Sequence, residues 1–153
     1  MSILRLTHAV YESMRVHGEN TYPYECCGAL LGYPVMGDWD VIAAVRAGNT
    51  RTDSARNRYH IAPAELVKIQ REAMLRGLDI AGFYHSHPDH PAQWSTTDFA
   101  EAHWIGCCYV ITEVAQGRAA QTHSFLLAGS TEEDKRLESQ TTEVVEVIEA
   151  PVP

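Results

Sequence analysis

Apolar residues recur along this 153-residue chain with two periods, one typical of helices and the other of buried strands. The stretch from Thr7 to about Glu19 repeats apolar side chains on one helical face, and its first threonine is a suitable N-cap. A second helix is predicted from Pro63, since proline favours the first helical turn, to Gly77, since glycine favours the position after the last turn. A third helix is predicted to begin at Ser95, a suitable N-cap with Asp98 three residues later, and a fourth runs from Thr131 to about Gln140.

Short apolar runs between polar turns predict the strands. These are Cys26–Tyr33, Trp39–Ala47, Arg58–Ala62, Leu78–Tyr84, Cys107–Thr112, Gln121–Leu127 and an edge strand at Val144–Ile148. The first two form a hairpin across the turn at Pro34–Asp38, and Gly48–Arg56 is a polar loop. The pattern predicts an α/β protein, in which residues 1–153 form a single domain with a mixed, partly antiparallel sheet flanked by helices.

Charge and cysteine usage exclude several function classes. The net charge is −8, and no Lys/Arg cluster is present that could neutralise a row of phosphates, so nucleic acid is not an expected partner. No signal peptide and no apolar run long enough to span a membrane is found, which predicts a cytoplasmic protein without a membrane partner. The pairs Cys26–Cys27 and Cys107–Cys108 lie in apolar runs and are expected to be reduced, buried thiols.

A cluster of candidate metal ligands follows the predicted strand Leu78–Tyr84. His85 and His87 are separated by one residue, so their side chains point the same way if the chain is extended there. A loop is predicted from His85 to Trp94, and it is long enough to bring Asp98 back to the same ion. Two histidines and one carboxylate suit zinc with an open position for water, and they also suit non-haem iron.

A metal-dependent hydrolase also needs an acid/base that is not a ligand. Glu25 is the candidate, because it directly precedes the apolar run CCGALLG, where burial raises the pKa of a carboxyl group. Ser95 lies one helical turn before Asp98 and is the candidate donor to a developing oxyanion. A bound zinc ion brings the pKa of its water to about 7, which makes hydroxide available at neutral pH.

Each of these residues has a simpler interpretation when taken alone. Asp98 and Ser95 are also the residue types that cap a helix, and Glu25 also suits a salt bridge. His90 is a rival ligand or a residue that contacts substrate, and Cys27 is a fourth ligand or, more simply, a core thiol. The remaining histidines receive no role: His8, His17, His60, His103 and His123.

Read together, these residues resemble the JAMM, or MPN-plus, metalloprotease family. The family motif is a distant Glu, then H-[ST]-H-P, then S-x-x-D. In this chain it reads Glu25 within PYECCGALLG, then His85-Ser86-His87-Pro88, then Ser95-Thr96-Thr97-Asp98. Many relatives have proline just before the motif serine, whereas this chain has Trp94, which leaves the ligands intact and places an aromatic ring at the rim of the cleft.

The resemblance implies a cytidine-deaminase-like fold with one zinc ion per chain. His85, His87 and Asp98 would be its ligands, Glu25 the general acid/base, and Ser95 the group that stabilises the tetrahedral intermediate. The deaminase signature H-x-E with P-C-x-x-C is absent, so nucleobase deamination is rejected. The chain is most similar to the prokaryotic branch, whose members resemble peptidases that trim ubiquitin-like sulfur-carrier proteins.

The resemblance therefore predicts a zinc peptidase or isopeptidase acting at the C-terminal tail of a ubiquitin-like or sulfur-carrier protein. Two alternatives remain open at this point. One is a metal-free scaffold or binding module, and the other is a zinc hydrolase of small amides. The sequence leaves open the leaving group and the oligomeric state, and a homo-oligomer is compatible with it.

Overall fold

The computed structural model describes residues 2–49 and 59–151. Within these ranges the chain forms three helices and eight strands. The helices are α1 (His8–Thr21), α2 (Pro63–Leu75) and α3 (Thr96–Glu101). The strands are β1 (Ile3–Thr7), β2 (Cys27–Val35), β3 (Asp38–Ala47), β4 (Asp79–Pro88), β5 (Cys108–Ala115), β6 (Arg118–Ala128), β7 (Arg136–Ser139) and β8 (Thr141–Val145).

In the described part of the chain the strands form one sheet of eight, in the order β7-β6-β5-β4-β2-β3-β1-β8. Parallel pairs join β1 to β3, β1 to β8 and β4 to β5, and the other neighbours are antiparallel. The predicted α/β class with a mixed, partly antiparallel sheet is thus confirmed. Strand β4 lies in the interior of the sheet, hydrogen-bonded to β2 on one side and β5 on the other.

The two edge strands of this sheet are consecutive in sequence, since only Gln140 separates β7 from β8. The sheet must therefore curl until its edges approach each other. The backbone N–H of Gln140 donates to the carbonyl of Ser124 in β6 at 3.0 Å. The hydroxyls of Ser124 and Thr142 lie 2.7 Å apart and join β6 to β8 directly. These contacts hold the curl closed.

Apolar side chains fill both faces of the curled sheet. On one face, Val10 and Met14 of α1 pack against Leu30 and the rest of one buried cluster. On the other face, Ile69 of α2 packs against a second cluster that contains Leu31. Successive residues of β2 thus point to opposite faces, as strand geometry requires. Burial of these side chains is the main favourable term for folding.

Most of the predicted elements are confirmed, with ends shifted by a few residues. The hydroxyl of Thr7 caps α1 by accepting from the N–H of Val10 at 3.2 Å. Pro63 occupies the first turn of α2, and Gly77 follows that helix with a φ of +69°, a conformation that favours glycine. All four cysteines are free and buried, as predicted. No helix in the described residues is long and apolar enough to cross a bilayer.

Three predictions about local structure are wrong. Residues 59–62 form no strand, and Arg58 and most of the predicted loop Gly48–Arg56 lie outside the described residues. The predicted loop His85–Trp94 begins too early, because β4 continues to Pro88 while paired with β5. The predicted helix Thr131–Gln140 is instead a turn followed by β7.

The turn replaces the helix because Asp134 ties it to the preceding residues. Its carboxylate accepts hydrogen bonds from the N–H and hydroxyl groups of Ser130 and Thr131, at 2.6–3.0 Å. Short polar side chains of this kind compete with helical hydrogen bonding. The following residues then pair with β6. The strand β1, for which no prediction was made, alternates buried and half-buried residues in the sequence ILRLT.

Candidate metal centre

The interior strand β4 presents two histidines on one face. His85 lies opposite Cys27 of β2 and Ile111 of β5, and His87 lies opposite Glu113 of β5. Both imidazoles point the same way because side chains two residues apart share a face. His85 is 2% exposed and His87 is 7% exposed. Backbone pairing therefore fixes the position of both rings, most firmly that of His85, which is paired on both sides.

The third side chain of the centre comes from the first turn of α3. Ser95 is the N-cap of this helix, and its hydroxyl accepts from the N–H of Asp98 at 3.0 Å. In return, Oδ2 of Asp98 accepts from the N–H of Ser95 at 2.9 Å. This reciprocal capping box satisfies two N–H groups at the helix start and holds the Asp98 carboxylate at its N-terminus.

The three side chains converge on one point. Nε2 of His85 lies 3.2 Å from Nε2 of His87 and 3.2 Å from Oδ1 of Asp98, and Nε2 of His87 lies 3.1 Å from Oδ2 of Asp98. Ligand atoms around a tetrahedral zinc ion are separated by roughly 3.3 Å, given the usual zinc–nitrogen distance. The geometry and the chemistry of the donor set thus fit a divalent metal ion of this kind.

Neighbouring groups orient the two imidazoles. Nδ1 of His87 lies 2.9 Å from the carbonyl oxygen of Pro91, which can only accept, so this nitrogen carries the proton and donates. In the neutral imidazole the lone pair of Nε2 then faces the centre, as a metal ligand requires. The ring of Tyr59 stacks on that of His85, with centroids 4.5 Å apart and planes inclined by 27°. The supporting roles of Tyr59 and of the Pro91 carbonyl were not predicted from the sequence, because neither residue belongs to a recognisable sequence motif.

The electrostatics of the metal-free cluster keep Asp98 anionic and shift the pKa values of the two imidazoles in opposite directions. Burial raises the pKa of Asp98, but the hydrogen bonds from His85 and His87 outweigh it and hold that pKa well below its usual range. Burial lowers the pKa of His85, which disfavours its charged form. Burial also lowers the pKa of His87, but its contacts with Asp98 and the carbonyl of Pro91 outweigh burial and raise that pKa, so metal binding must displace a proton there. A carboxylate anion with unprotonated imidazole nitrogens is the state that binds a metal cation.

Glu25 lies beside this cluster, 3% exposed, just before β2 begins. Its Oε1 has no hydrogen-bond partner among the residues described. Burial, reinforced by the negative charges of Asp98 and Glu101, raises the pKa of Glu25 to about 9. A buried carboxyl group with a strongly raised pKa beside a cleft is a typical acid/base candidate.

The strand that carries the histidines also fixes the position of Glu25. The hydroxyl of Ser86, between His85 and His87, accepts from the N–H of Cys26 at 2.8 Å. The N–H of Ser86 donates to the carbonyl of Cys26 at 3.2 Å. These two bonds hold the residue next to Glu25 against β4. Sequence reasoning named Ser86 only as part of the motif and gave it no role.

Two cavities flank the centre. The first, which we call the Trp94 cavity, has a volume of about 450 Å³ and is lined by Glu25, His87, Ser95, His90, Gln93 and Trp94, among others. The second, the Tyr59 cavity, has a volume of about 380 Å³. Its lining is mainly apolar and aromatic and includes Tyr59, Leu66, Phe83, Trp104 and Tyr109. The Trp94 cavity therefore reaches the metal cluster directly, whereas the Tyr59 cavity adjoins it through the ring of Tyr59, which stacks on His85.

The rival ligands take other positions. Cys27 is buried in the core behind His85, with its thiol 3.9 Å from the carbonyl of Ala47, and it is not part of the metal cluster. Burial raises the pKa of Cys27 to about 12, which opposes the thiolate form that metals bind. His90 is exposed and lines the Trp94 cavity, away from the three ligand atoms.

Comparison with known proteins identifies the family. A family model described as prokaryotic homologues of the JAB domain matches residues 7–128. The chain belongs to this family. The resemblance drawn from Glu25, the H-S-H-P segment and the S-x-x-D segment is thereby confirmed.

Individual relatives agree with this membership. The chain is 35% identical to the desampylase of Haloferax volcanii over 89 residues, which make up 58% of this chain and 62% of that enzyme. The match thus spans less than two thirds of the relative's length. A protein from Salinibacter ruber has a solution structure similar to this one, with a TM-score of 0.72 and 35% identity over 97% of this chain and 95% of that one. A protein from Desulfitobacterium hafniense shares the fold with a TM-score of 0.81 at 24% identity, over 95% of each chain.

Proposed function

We propose that this protein is a zinc-dependent peptidase or isopeptidase that cleaves at the C-terminal tail of a ubiquitin-like or sulfur-carrier protein. Family membership and the similarity to a desampylase support this proposal. The observation that carries it is the convergence of three ligand atoms, 3.1–3.2 Å apart, beside the buried non-ligand carboxyl of Glu25. The proposal includes the cytoplasmic location and the single domain of residues 1–153 predicted from the sequence.

His85, His87 and Asp98 are proposed to hold one zinc ion per chain. When bound, zinc polarises the scissile carbonyl and makes a water molecule acidic enough to attack at neutral pH. The hydrogen bond from Nδ1 of His87 to Pro91 leaves Nε2 as the nitrogen that faces the metal, and the capping box keeps the Asp98 carboxylate in place. These contacts orient the ligands before the metal binds, which favours affinity.

Glu25 is proposed to move the proton. It accepts a proton from the attacking water and delivers it to the nitrogen of the leaving amine, which departs as a neutral group. Its raised pKa of about 9 applies to the metal-free centre. A nearby divalent charge stabilises the carboxylate and lowers that pKa toward the working pH, where proton transfer in both directions is efficient.

Ser95 is proposed to stabilise the negative charge that develops on the carbonyl oxygen. Its hydroxyl accepts from the N–H of Asp98, so its own hydrogen can still be donated. Ser95 is exposed at the Trp94 cavity, where substrate can reach it. Removal of one such donor in other hydrolases lowers kcat by about 100-fold or more.

The test uses two fusions of a ubiquitin-like carrier protein that ends in glycine. One carries a short peptide on its C-terminal glycine through an α-amine, and the other carries a lysine peptide through the side-chain amine. We expect the zinc-loaded protein to release the intact carrier from at least one fusion, as measured by mass spectrometry. Chelation should stop the reaction, and added zinc should restore it.

Two results would contradict the proposal and point to the alternatives. Purified protein that takes up no zinc at stoichiometric concentrations would favour a scaffold or binding module. Zinc-loaded protein that hydrolyses small acyl amides but leaves both fusions intact would favour an amidase with the same centre and a different substrate.

A further inference from the structure

The Trp94 cavity and the Tyr59 cavity are lined by different side chains of the candidate site. Glu25, His87 and Ser95 line the Trp94 cavity, whereas none of these three lines the Tyr59 cavity. A leaving amine must receive its proton from Glu25 and so must lie within hydrogen-bond reach of that carboxyl. The leaving-amine half of the substrate therefore enters the Trp94 cavity.

From this position of the leaving amine we propose that Trp94 determines specificity for the leaving group. It would do so by binding an apolar chain or ring carried next to the leaving amine. The proposal rests on the proposed function, because it takes Glu25 as the group that protonates the amine. It assigns a chemical class to the leaving residue and a position to the leaving-amine half of the substrate.

The indole of Trp94 is placed for such a contact. It directly precedes Ser95, so it is attached to the N-cap of the helix that carries Asp98. The ring of Phe99 lies 5.6 Å from that of Trp94, inclined by 37°, and supports it. Trp94 nevertheless remains 40% exposed at the cavity. Binding of an apolar group over an exposed aromatic surface beside a reacting centre is favourable, because it removes apolar surface from water.

The rest of the cavity lining favours an apolar partner over an anionic one. His90, Gln93 and Thr97 contribute polar groups, and no lysine or arginine is among the described residues that line the cavity. The carboxyl group of Glu25 faces the same space. A substrate carboxylate close to the leaving nitrogen would thus be repelled by the charged form of Glu25, with no lysine or arginine of the lining to neutralise it. A hydrocarbon group in the same place would instead contact the indole of Trp94.

The test compares three substrates with the same acyl peptide, ending in glycine, and different leaving groups: glycine amide, norleucine amide and phenylalanine amide. For the wild-type protein we expect kcat/KM for phenylalanine amide to exceed that for glycine amide by about tenfold, mainly through KM. In Trp94→Ala this ratio should fall close to one, and Trp94→Phe should retain most of it. Met36→Ala removes an exposed side chain at the remote β2–β3 turn and should keep the wild-type ratio.

A binding measurement tests the same point without turnover. Phenylalanine amide, added to the zinc-loaded protein, should shift the indole N–H resonance of Trp94, which the Trp94→Phe variant identifies. Glycine amide should shift it much less. A shift confined to the indole of Trp104 would place the amine in the Tyr59 cavity and overturn its proposed position in the Trp94 cavity.

The outcomes separate this inference from the proposed function. Cleavage of the peptides with the same leaving-group ratio in wild type and Trp94→Ala overturns the role of Trp94 alone. If neither these peptides nor the carrier-protein fusions are cleaved, the proposed function fails. A zinc-loaded protein whose Trp94 resonance is unchanged by phenylalanine amide overturns the binding site, whichever substrates are cleaved.

Discussion

The candidate metal centre is assembled from two regions of very different construction, which we call its sheet half (β4) and its helix half (α3). Strand β4 supplies His85 and His87 from the interior of an eight-stranded sheet, within the residues described. Helix α3 supplies Asp98 from six residues, none of which is buried. The sheet places its ligands through backbone pairing and core packing, whereas the helix depends on a few polar contacts. Damage to the first region should therefore destroy the fold, and damage to the second should change metal affinity first.

Lys135, which lies outside the residues 7–128 matched by the family model, supports helix α3 in the helix half of the centre. The ammonium of Lys135 donates to the carbonyl of Ala102 at 2.8 Å, at the C-terminal end of α3. It also pairs with Glu132 at 2.9 Å and lies 5.0 Å from the ring centre of Phe99, the neighbour of Asp98. Its side chain is only 5% exposed. Cations near a helix C-terminus are favourable, and this one also connects α3 to the segment before β7.

The largest effect is expected from a change in the sheet half, Gly82→Ala. A Cβ at Gly82 would lie 1.9 Å from the backbone carbonyl oxygen of Cys108 in β5, and backbone cannot move aside cheaply. We expect a loss of at least about 4 kcal/mol in the free energy of unfolding, or insoluble protein. Chemical denaturation measures it. Gly37→Ala, at a turn where nothing lies within 4 Å but φ is +89°, should cost only about 1–2 kcal/mol.

The second effect concerns the buried carboxyl beside the sheet half. Because folding raises the pKa of Glu25 from 4.5 to about 9, the folded state binds the proton more tightly, and stability falls as pH rises through this window. Relative to Glu25→Gln, the metal-free wild type should lose up to about 1.4 kcal/mol per pH unit between pH 6 and 8. Denaturation in the presence of a chelator measures both proteins. Parallel stability curves would show that Glu25 is not desolvated as described.

A smaller effect is expected from Ser95→Ala in the helix half. The change removes the N-cap oxygen that holds the N–H of Asp98, which costs about 1 kcal/mol in other helices. We expect zinc affinity to fall by about tenfold, as for the loss of other groups that orient ligands, and the free energy of unfolding of the metal-free protein to fall by no more than about 1 kcal/mol. Competition with a chromophoric chelator measures the affinity. Ser95→Thr keeps the oxygen and should bind zinc nearly as well as wild type.

The smallest effect is expected from Lys135→Met. The variant keeps the apolar stem but loses the donor to Ala102 and the pairing with Glu132, so zinc affinity should fall by a few-fold, equivalent to about 1 kcal/mol or less. Lys135→Arg should restore it. Arg136→Met, at the exposed neighbouring position, serves as the control. An unchanged affinity in Lys135→Met would show that α3 does not need this contact.

The sequence predicted the two halves unequally, and the reason is physical. The candidate ligands and Glu25 could be named from the sequence because zinc chemistry restricts residue type and spacing, as in His85 and His87, and the structure brings the three candidate ligands together. The continuation of β4 to Pro88 could not be read locally, since prolines indicate a loop and only pairing with β5 extends the strand. The segment from Thr131 contains the same serine, threonine and aspartate signals that start helices, and pairing with β6 decides against one.

Contacts between distant elements were invisible to the sequence for a similar reason. Tyr59 stacks on His85, although 26 positions of the chain separate them. Lys135 contacts the C-terminal end of α3, although β5 and β6 lie between the two in sequence. Neither residue belongs to a motif with a fixed spacing. Such supporting groups emerge only once the topology is known.

The central claim is that a buried, non-ligand carboxyl moves the proton at a zinc centre. The most direct test is kcat of zinc-loaded Glu25→Gln on the carrier-protein fusions, with metal content determined in the same sample. The amide is nearly isosteric but cannot accept the proton, so we expect one zinc per chain and a fall in kcat of about 100-fold to 10,000-fold. Turnover at the wild-type rate with zinc bound would contradict the assigned mechanism.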